Sequence, residues 1–261
     1  MTDALWKQAM RSGCSRRPAR RSCGDFSRFS GDKKGACTLQ NTVILSCSSL
    51  TPFVLAAQER CGVSYPIVEL DRSEHAEPQN MRLTILKRIE ALPPEVETVL
   101  VAMGFCGGAW EQVRFDRKVV IPRVDDCVSL LLHTDDRYCP NRKEPGHLYL
   151  FENDPKDFSA LTLYRDQYKL DPELRNLDPD FLFHMMYDSY KHMDIIDTGL
   201  NDCYSEEYVA AAQEEADQIG AELGYAEGGL HLLEKLLTGQ WDEQFLVAQP
   251  GKLIRHGEFF N

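Results

Sequence analysis

Three cysteines in this chain have the residue type and the positions that metal or nucleophilic chemistry requires. Cys47, Cys106 and Cys127 each follow a short apolar segment and stand beside polar residues or glycine. A cysteine thiolate is both a nucleophile and a ligand for soft metal ions. The three residues therefore predict one thiolate site for a metal ion or an iron–sulfur cluster, provided that the fold brings them together.

The apolar segments are typical of buried β-strands that alternate with helices. The predicted strands are 42–47, 66–70, 98–103, 118–122, 147–151, 194–199, 222–226 and 244–248. The predicted helices are 52–60, 76–92, 128–132, 156–168, 179–192, 229–237 and one that Ser205 caps. This alternation predicts an α/β fold, a doubly wound and mostly parallel sheet with helices on both faces.

In such a sheet, ligands bind beyond the carboxyl ends of the strands. Neighbouring strands lie about 4.8 Å apart, so thiols at three strand ends are expected to reach one ion. Cys47 and Cys127 are predicted to lie near helix N-termini, whose positive potential lowers the pKa of a thiol. Arg123 would add a positive charge. The surroundings are therefore expected to favour the thiolate form.

Other residues of the same loops are expected to complete the site. Gly104, Gly107 and Gly108 allow a tight turn and the close approach of a cofactor, and Ser48 is a further predicted cofactor contact. Three thiolates leave one position open for a substrate. Cys203, four residues beyond Gly199, is a candidate fourth ligand.

Alternatives to a metal site stay open. Cysteine is also a common small core residue. In a metal-free enzyme, Cys106 would be the nucleophile, with Asp126 and Arg123 as further catalytic candidates; no histidine partner is evident in the adjacent strand-end loops. Asp126 is equally well explained as an acidic residue at a helix N-terminus. A third hypothesis is a non-catalytic module that binds a cofactor or a protein partner.

Composition limits the class of protein. The chain has 261 residues and nine cysteines, and no apolar stretch approaches the length of about 20 residues that a membrane span needs. No secretory signal is visible, so we expect a cytoplasmic protein with free or metal-bound thiols rather than a disulfide framework. The formal net charge of −12 argues against nucleic acid as a partner.

The charge is unevenly distributed along the chain. Residues 1–41 are basic and lack a hydrophobic period, which predicts a disordered extension. Residues 42–254 are expected to form the α/β domain, and any division into two lobes is expected within 133–180. Residues 255–261 are predicted to be a C-terminal tail.

An ordered set of motifs resembles a known family. The motifs are residues 42–50, Gly104-Phe-Cys-Gly107, Ile121-Pro-Arg123 with Asp126-Cys127, Asp197-Thr-Gly199 and residues 236–242. Together they resemble the uncharacterised family catalogued as domain of unknown function sixteen thirty-eight, over about residues 42–254. The resemblance implies a bacterial or archaeal protein that is often encoded near corrinoid-dependent methyltransferases. It therefore implies one-carbon methyl metabolism, with a corrinoid protein or methyltransferase as partner, and it supplies no catalytic residues.

Overall fold

Short apolar segments form the strands, because Val, Ile and Leu suit a pleated surface that is buried on both faces. The computed structural model describes residues 39–76, 78–161 and 177–260. The described strands are β1 (Thr42–Cys47), β2 (Ile67–Leu70), β3 (Thr98–Ala102), β4 (Lys118–Pro122), β5 (His147–Leu150), β6 (His192–Asp197), β7 (Glu222–Glu227) and β8 (Phe245–Ala248). The described helices are α1 (Thr51–Cys61), α2 (Pro78–Glu90), α3 (Cys127–Leu131), α4 (Pro179–Tyr187), α5 (Glu206–Ile219), α6 (His231–Thr238) and α7 (Gly257–Phe260).

The first sheet has the strand order β2-β1-β3-β4-β8. Its first four strands are parallel, and β8 pairs with β4 in the antiparallel direction. The register places Ile44 of β1 opposite both Ile67 of β2 and Leu100 of β3, so the carboxyl ends of these strands lie at the same edge. The predicted mixed α/β fold with a mostly parallel sheet is confirmed.

The second sheet contains β5, β6 and β7, all parallel. It has its own apolar cluster, in which Leu150, Met193 and Ile195 are fully buried. The chain enters this sheet after a loop at 132–146 and returns to the first sheet with α6 and β8. A lobe boundary within 133–180 stays a prediction, and residues 1–38 of the basic start lie outside the described residues.

One predicted helix is too long. The segment 179–192 is helical only as far as Tyr187, and His192 begins β6. Side chains of β6 alternate between partly buried His192 and Asp194 and fully buried Met193 and Ile195. That two-residue period is the period of a strand, and it decides the structure of the segment.

The C-terminal residues pack against the rest of the chain. Sequence alone indicates a tail at 255–261, whereas the structure has α7, with Phe259 fully buried. The ring centroid of Phe259 lies 4.7 Å from that of Phe105, the residue before Cys106. The C-terminal helix therefore supports the loop that follows β3.

In none of the described ranges is a helix both long and apolar enough for a membrane span.

Replacing Phe259 with alanine should destabilise the protein. The substitution removes a fully buried ring and leaves a cavity, so we expect the free energy of unfolding to fall by about 3 kcal/mol or more. Urea denaturation measures the change. Phe181 is the matched control because its side chain is 61% exposed, and Phe181→Ala should cost about 0.5 kcal/mol or less. Equal effects of the two substitutions would contradict the packing of α7.

Candidate functional site

Each of the four parallel strands of the first sheet leads into one sulfur or imidazole side chain. Cys47 is the last residue of β1, and Cys106 lies in a 3₁₀ turn, Cys106–Gly108, after β3. Cys127 is the first residue of α3, five residues after the end of β4, and His75 lies in a 3₁₀ turn after β2. Since the four strands are adjacent and parallel, these residues lie along one edge of the sheet.

The three cysteine side chains are neighbours. The Cys127 thiol interacts with both Cys47 and Cys106. Cys47 and Cys127 are buried, at 1% and 8% exposure, and Cys106 is half-buried. The Sγ atom of Cys47 also lies 3.0 Å from Oγ of Ser49. The structure therefore brings together the three cysteines that the sequence singled out, and Cys106 is the most accessible of them.

The expectation that the surroundings favour thiolates is wrong for two of the three. Hydrogen bonding to Cys106 raises the pKa of Cys127, and burial adds to this effect, while the Cys47 contact acts in the opposite direction. Hydrogen bonding to Cys127 and burial raise the pKa of Cys47. Clustered, buried sulfurs hold their protons because a thiolate would be poorly solvated and would repel its neighbours.

Backbone contacts between two loops hold Cys106 beside Cys127. The amide of Phe105 donates to the Val124 carbonyl at 2.9 Å, and the amide of Cys106 donates to the Asp125 carbonyl at 2.7 Å. A Cβ atom on Gly104 would lie 2.6 Å from Cα of Asp126, so only glycine fits there. Gly104 thus has a structural role, and its contact with a cofactor stays a prediction.

The backbone of Cys106 is strained. Its φ of +48° lies in the left-handed region, which costs a residue with a side chain about 1–2 kcal/mol. Gly107 and Gly108 also have positive φ values, +65° and +103°, but glycine adopts these without strain. Strain of the kind found at Cys106 is characteristic of functional sites.

Ser48 and Arg72 join the loops that follow β1 and β2. Oγ of Ser48 accepts a hydrogen bond from the Arg72 amide at 3.0 Å. Arg72 in turn donates through a guanidinium nitrogen to the Asp157 carbonyl at 2.6 Å. Ser48 therefore anchors the turn that carries His75, which is a different role from the predicted contact with a cofactor.

His75 is the site residue that sequence reasoning missed. It lies beside Cys47 and acts to lower the pKa of that thiol. Its Nε2 atom is buried and has no hydrogen-bond partner among the described residues. Buried imidazole nitrogens usually have partners, so this one requires an explanation such as an ion. The available signal was its position, five residues after a predicted parallel strand.

Arg123 and Asp126 take structural roles. Arg123 donates to the Glu258 carbonyl at 2.7 Å and to the Glu243 carbonyl at 2.9 Å, so it is directed at the C-terminal segment. The Asp126 side chain caps α3 by accepting from the Ser129 amide at 2.8 Å, and it also pairs with Lys143. Asp126 contributes to the raised pKa of Cys127. The helix-terminus explanation of Asp126 therefore fits the structure better than a catalytic role.

Cys203 does not join the three cysteines. It is buried in the apolar cluster of the second sheet, beside residues such as Leu150 and Ile195. Burial there raises its pKa to about 12. The prediction of Cys203 as a fourth ligand is corrected, because its loop follows a strand of the other sheet.

Within the described residues, the side chains at this sheet edge are not arranged as a metal centre. Among residues 39–76, 78–161 and 177–260, no group of three or more His, Cys, Asp or Glu side chains is positioned to hold a metal ion. The thiols of Cys47, Cys106 and Cys127 interact with one another, but they are not arranged as metal ligands. Metal binding at this edge would require their deprotonation and a small rearrangement of side chains.

Comparison with known proteins identifies a family. A family model described as "Protein of unknown function (DUF1638)" matches residues 70–237. The matched region includes His75, Cys106 and Cys127, and Cys47 lies before it. No curated protein and no solved structure matches the chain.

Substituting Gly104 tests the close approach of the two loops. In Gly104→Ala, the new methyl group would meet the Asp126 backbone at 2.6 Å, so we expect a loss of about 2 kcal/mol in the free energy of unfolding. Gly229 is the matched control, since a Cβ atom there has only an ordinary contact, 3.9 Å to Thr134. Urea denaturation of both variants provides the measurement. An effect of Gly104→Ala no larger than that of Gly229→Ala would contradict the loop geometry.

The pH dependence of stability tests the state of the thiols. Because the pKa of Cys47 is raised by folding, the unfolded chain loses this proton above about pH 8.5 while the folded chain keeps it. The free energy of unfolding should therefore decrease with rising pH, by about 1.4 kcal/mol per pH unit for each such thiol. Cys47→Ser should make the slope shallower by about that amount. Below about pH 8 the difference in free energy of unfolding between the two proteins should not depend on pH. Identical slopes above that pH would contradict a raised pKa of Cys47.

Proposed function

The chain belongs to the DUF1638 family, and we propose that Cys47, Cys106 and Cys127 bind one thiophilic metal ion, with His75 as the fourth ligand. The observation that carries this proposal is the shared edge: four adjacent parallel strands each supply one donor there. Three cysteines and one histidine are a known donor set for tetrahedral zinc.

The mutual interaction of the thiols favours a single ion over a cluster. In a tetrahedral site with metal–sulfur bonds of about 2.3 Å, ligand sulfurs lie about 3.8 Å apart, and Cys127 interacts with both other thiols. In an iron–sulfur cluster, the cysteines bind different iron atoms and lie farther apart. We therefore rank a zinc-like ion above the cluster.

The chemistry of the site residues agrees with this role. A cation removes the two causes that raise the pKa values of Cys47 and Cys127, because it neutralises the thiolates and replaces their lost hydration. His75 would supply its buried Nε2, which has no partner among the described residues. Gly107 and Gly108 follow Cys106 in the sequence. Because they have no side chains, they would leave room for the Cys106 side chain to turn toward the ion.

A metal-free cysteine nucleophile is the second candidate. Cys106 favours it, because this sulfur is the most accessible of the three and sits on strained backbone. The Cys127 thiol would donate a hydrogen bond to its thiolate. His75 lies beside Cys47, so it is poorly placed to act as a general base for Cys106. A role in corrinoid or one-carbon methyl metabolism stays a prediction from family resemblance.

Metal analysis of anaerobically purified protein tests the first candidate. We expect about one equivalent of zinc or another thiophilic ion per chain, and a sulfur-to-metal charge-transfer band on titration with Co²⁺. Cys47→Ser, Cys106→Ser, Cys127→Ser and His75→Ala should each weaken Co²⁺ binding by about tenfold or more. Cys139→Ser is the control: its thiol donates to the Asn141 carbonyl at 3.2 Å, and binding should not change.

Two outcomes would contradict metal binding. Either the wild-type chain takes up no metal ion, or the four site variants bind as well as the Cys139 control. In that case, labelling with iodoacetamide at about pH 6, below the ordinary cysteine pKa of about 8.5, tests the second candidate. Cys106 should then react much faster than the other thiols. Uniformly slow labelling would leave the binding module as the remaining function.

A further inference from the structure

A cleft lies along β5, on the side of the start of α3. Its volume is about 490 Å³, within the range of small-molecule sites. Its apolar wall includes Val128, Leu148 and Phe151, and its polar wall includes Lys143 and His147. Asp126 and Val128, which flank Cys127 in sequence, also line the cleft.

His147 and Asp194 form an oriented pair at this cleft. Nδ1 of His147 lies 2.6 Å from Oδ2 of Asp194, and the two side chains are only 18% and 14% exposed. A carboxylate in this position accepts the Nδ1 proton and leaves Nε2 as an unprotonated nitrogen. The Nε2 atom lies 3.6 Å from Oε2 of Glu144, another residue of the cleft wall, and that carboxylate is 74% exposed.

Neighbouring residues fix the pair in place. The His192 ring stacks on His147 with centroids 4.4 Å apart, which sets the plane of the imidazole. A Cβ atom on Gly224 of β7 would lie 2.3 Å from Oδ1 of Asp194, so the absence of a side chain there makes room for the carboxylate. The arrangement therefore depends on three adjacent strands rather than on a surface loop.

We propose that this cleft binds a small molecule and that His147, positioned by Asp194, accepts a proton from it. An oriented imidazole acts as a general base toward a hydroxyl, a thiol or a bound water. The ligand is expected to be uncharged or cationic, because Lys143 is already paired with Asp125 and Asp126 and Glu144 adds a negative charge. This inference stands independently of metal binding by the cysteines.

The tautomer of His147 is the first test, and it needs no variant. In ¹⁵N spectra of histidine-labelled protein, the neutral ring of His147 should carry its proton on Nδ1, because that atom faces the Asp194 carboxylate at 2.6 Å. The groups facing its ring are Asp194 and His192 from β6, Glu144 from the preceding loop and Tyr149 from β5. A proton on Nε2 would overturn the proposal.

Carbethoxylation measures whether Nε2 is reactive and reachable. With diethyl pyrocarbonate, the imidazole nitrogen takes one ethoxycarbonyl group, and ethanol and carbon dioxide leave. In Asp194→Asn the amide favours the other tautomer, so the rate at His147, followed by peptide mass spectrometry, should fall by about tenfold or more. His184 is the matched control, with Asp188 2.8 Å away and both side chains mostly exposed. Asp188→Asn should change the His184 rate little, since water competes for that pair.

Two results would overturn the role of His147. One is a His147 that remains unmodified while His184 reacts, which would mean that small molecules do not reach it. The other is an unchanged rate at His147 in Asp194→Asn, with the fold preserved by circular dichroism. The metal content of the same samples distinguishes a failure of this proposal from a failure of the cysteine site, because neither substitution alters a proposed metal ligand.

Discussion

The cysteine cluster depends on the close approach of two backbone segments at the carboxyl edge of the first sheet. The loop after β3 pairs with the loop after β4 through the amides of Phe105 and Cys106, and a side chain at Gly104 would collide with Asp126. Without that approach, a side chain would hold the two loops apart, and Cys106 and Cys127 would lie farther from each other. Sulfur chemistry at this edge is therefore a consequence of backbone packing.

The same packing sets the protonation of the sulfurs. Buried thiols beside one another keep their protons, as the raised pKa values of Cys47 and Cys127 indicate. The proximity that would bring several thiols to one metal ion also raises their pKa values. It therefore opposes the thiolate form that metal binding requires. A bound cation would reverse that balance, so metal binding and proton release are linked at such a site. Nε2 of His75, which has no hydrogen-bond partner within the part of the chain that the structure describes, would extend the proposed donor set to β2.

Much of the first sheet was predictable from the sequence, because runs such as Thr98–Ala102 are apolar on both faces. Parallel strands then place Cys47, Cys106 and Cys127 at one edge by topology alone. His75 was missed because it lies in a 3₁₀ turn, where no periodicity marks a side chain as inward-facing. His192 was assigned to a helix, although its strand has a two-residue period. The roles of Ser48 and Arg123 required knowledge of contacts between residues distant in sequence, which local patterns do not contain.

X-ray absorption at the zinc edge tests the central claim most directly, with protein loaded anaerobically with one equivalent of zinc. Three sulfurs and one histidine predict a first shell of three sulfur atoms at about 2.3 Å and one nitrogen at about 2.0–2.1 Å. A shell made only of nitrogen and oxygen atoms, or one with a single sulfur, would contradict a common site for Cys47, Cys106 and Cys127.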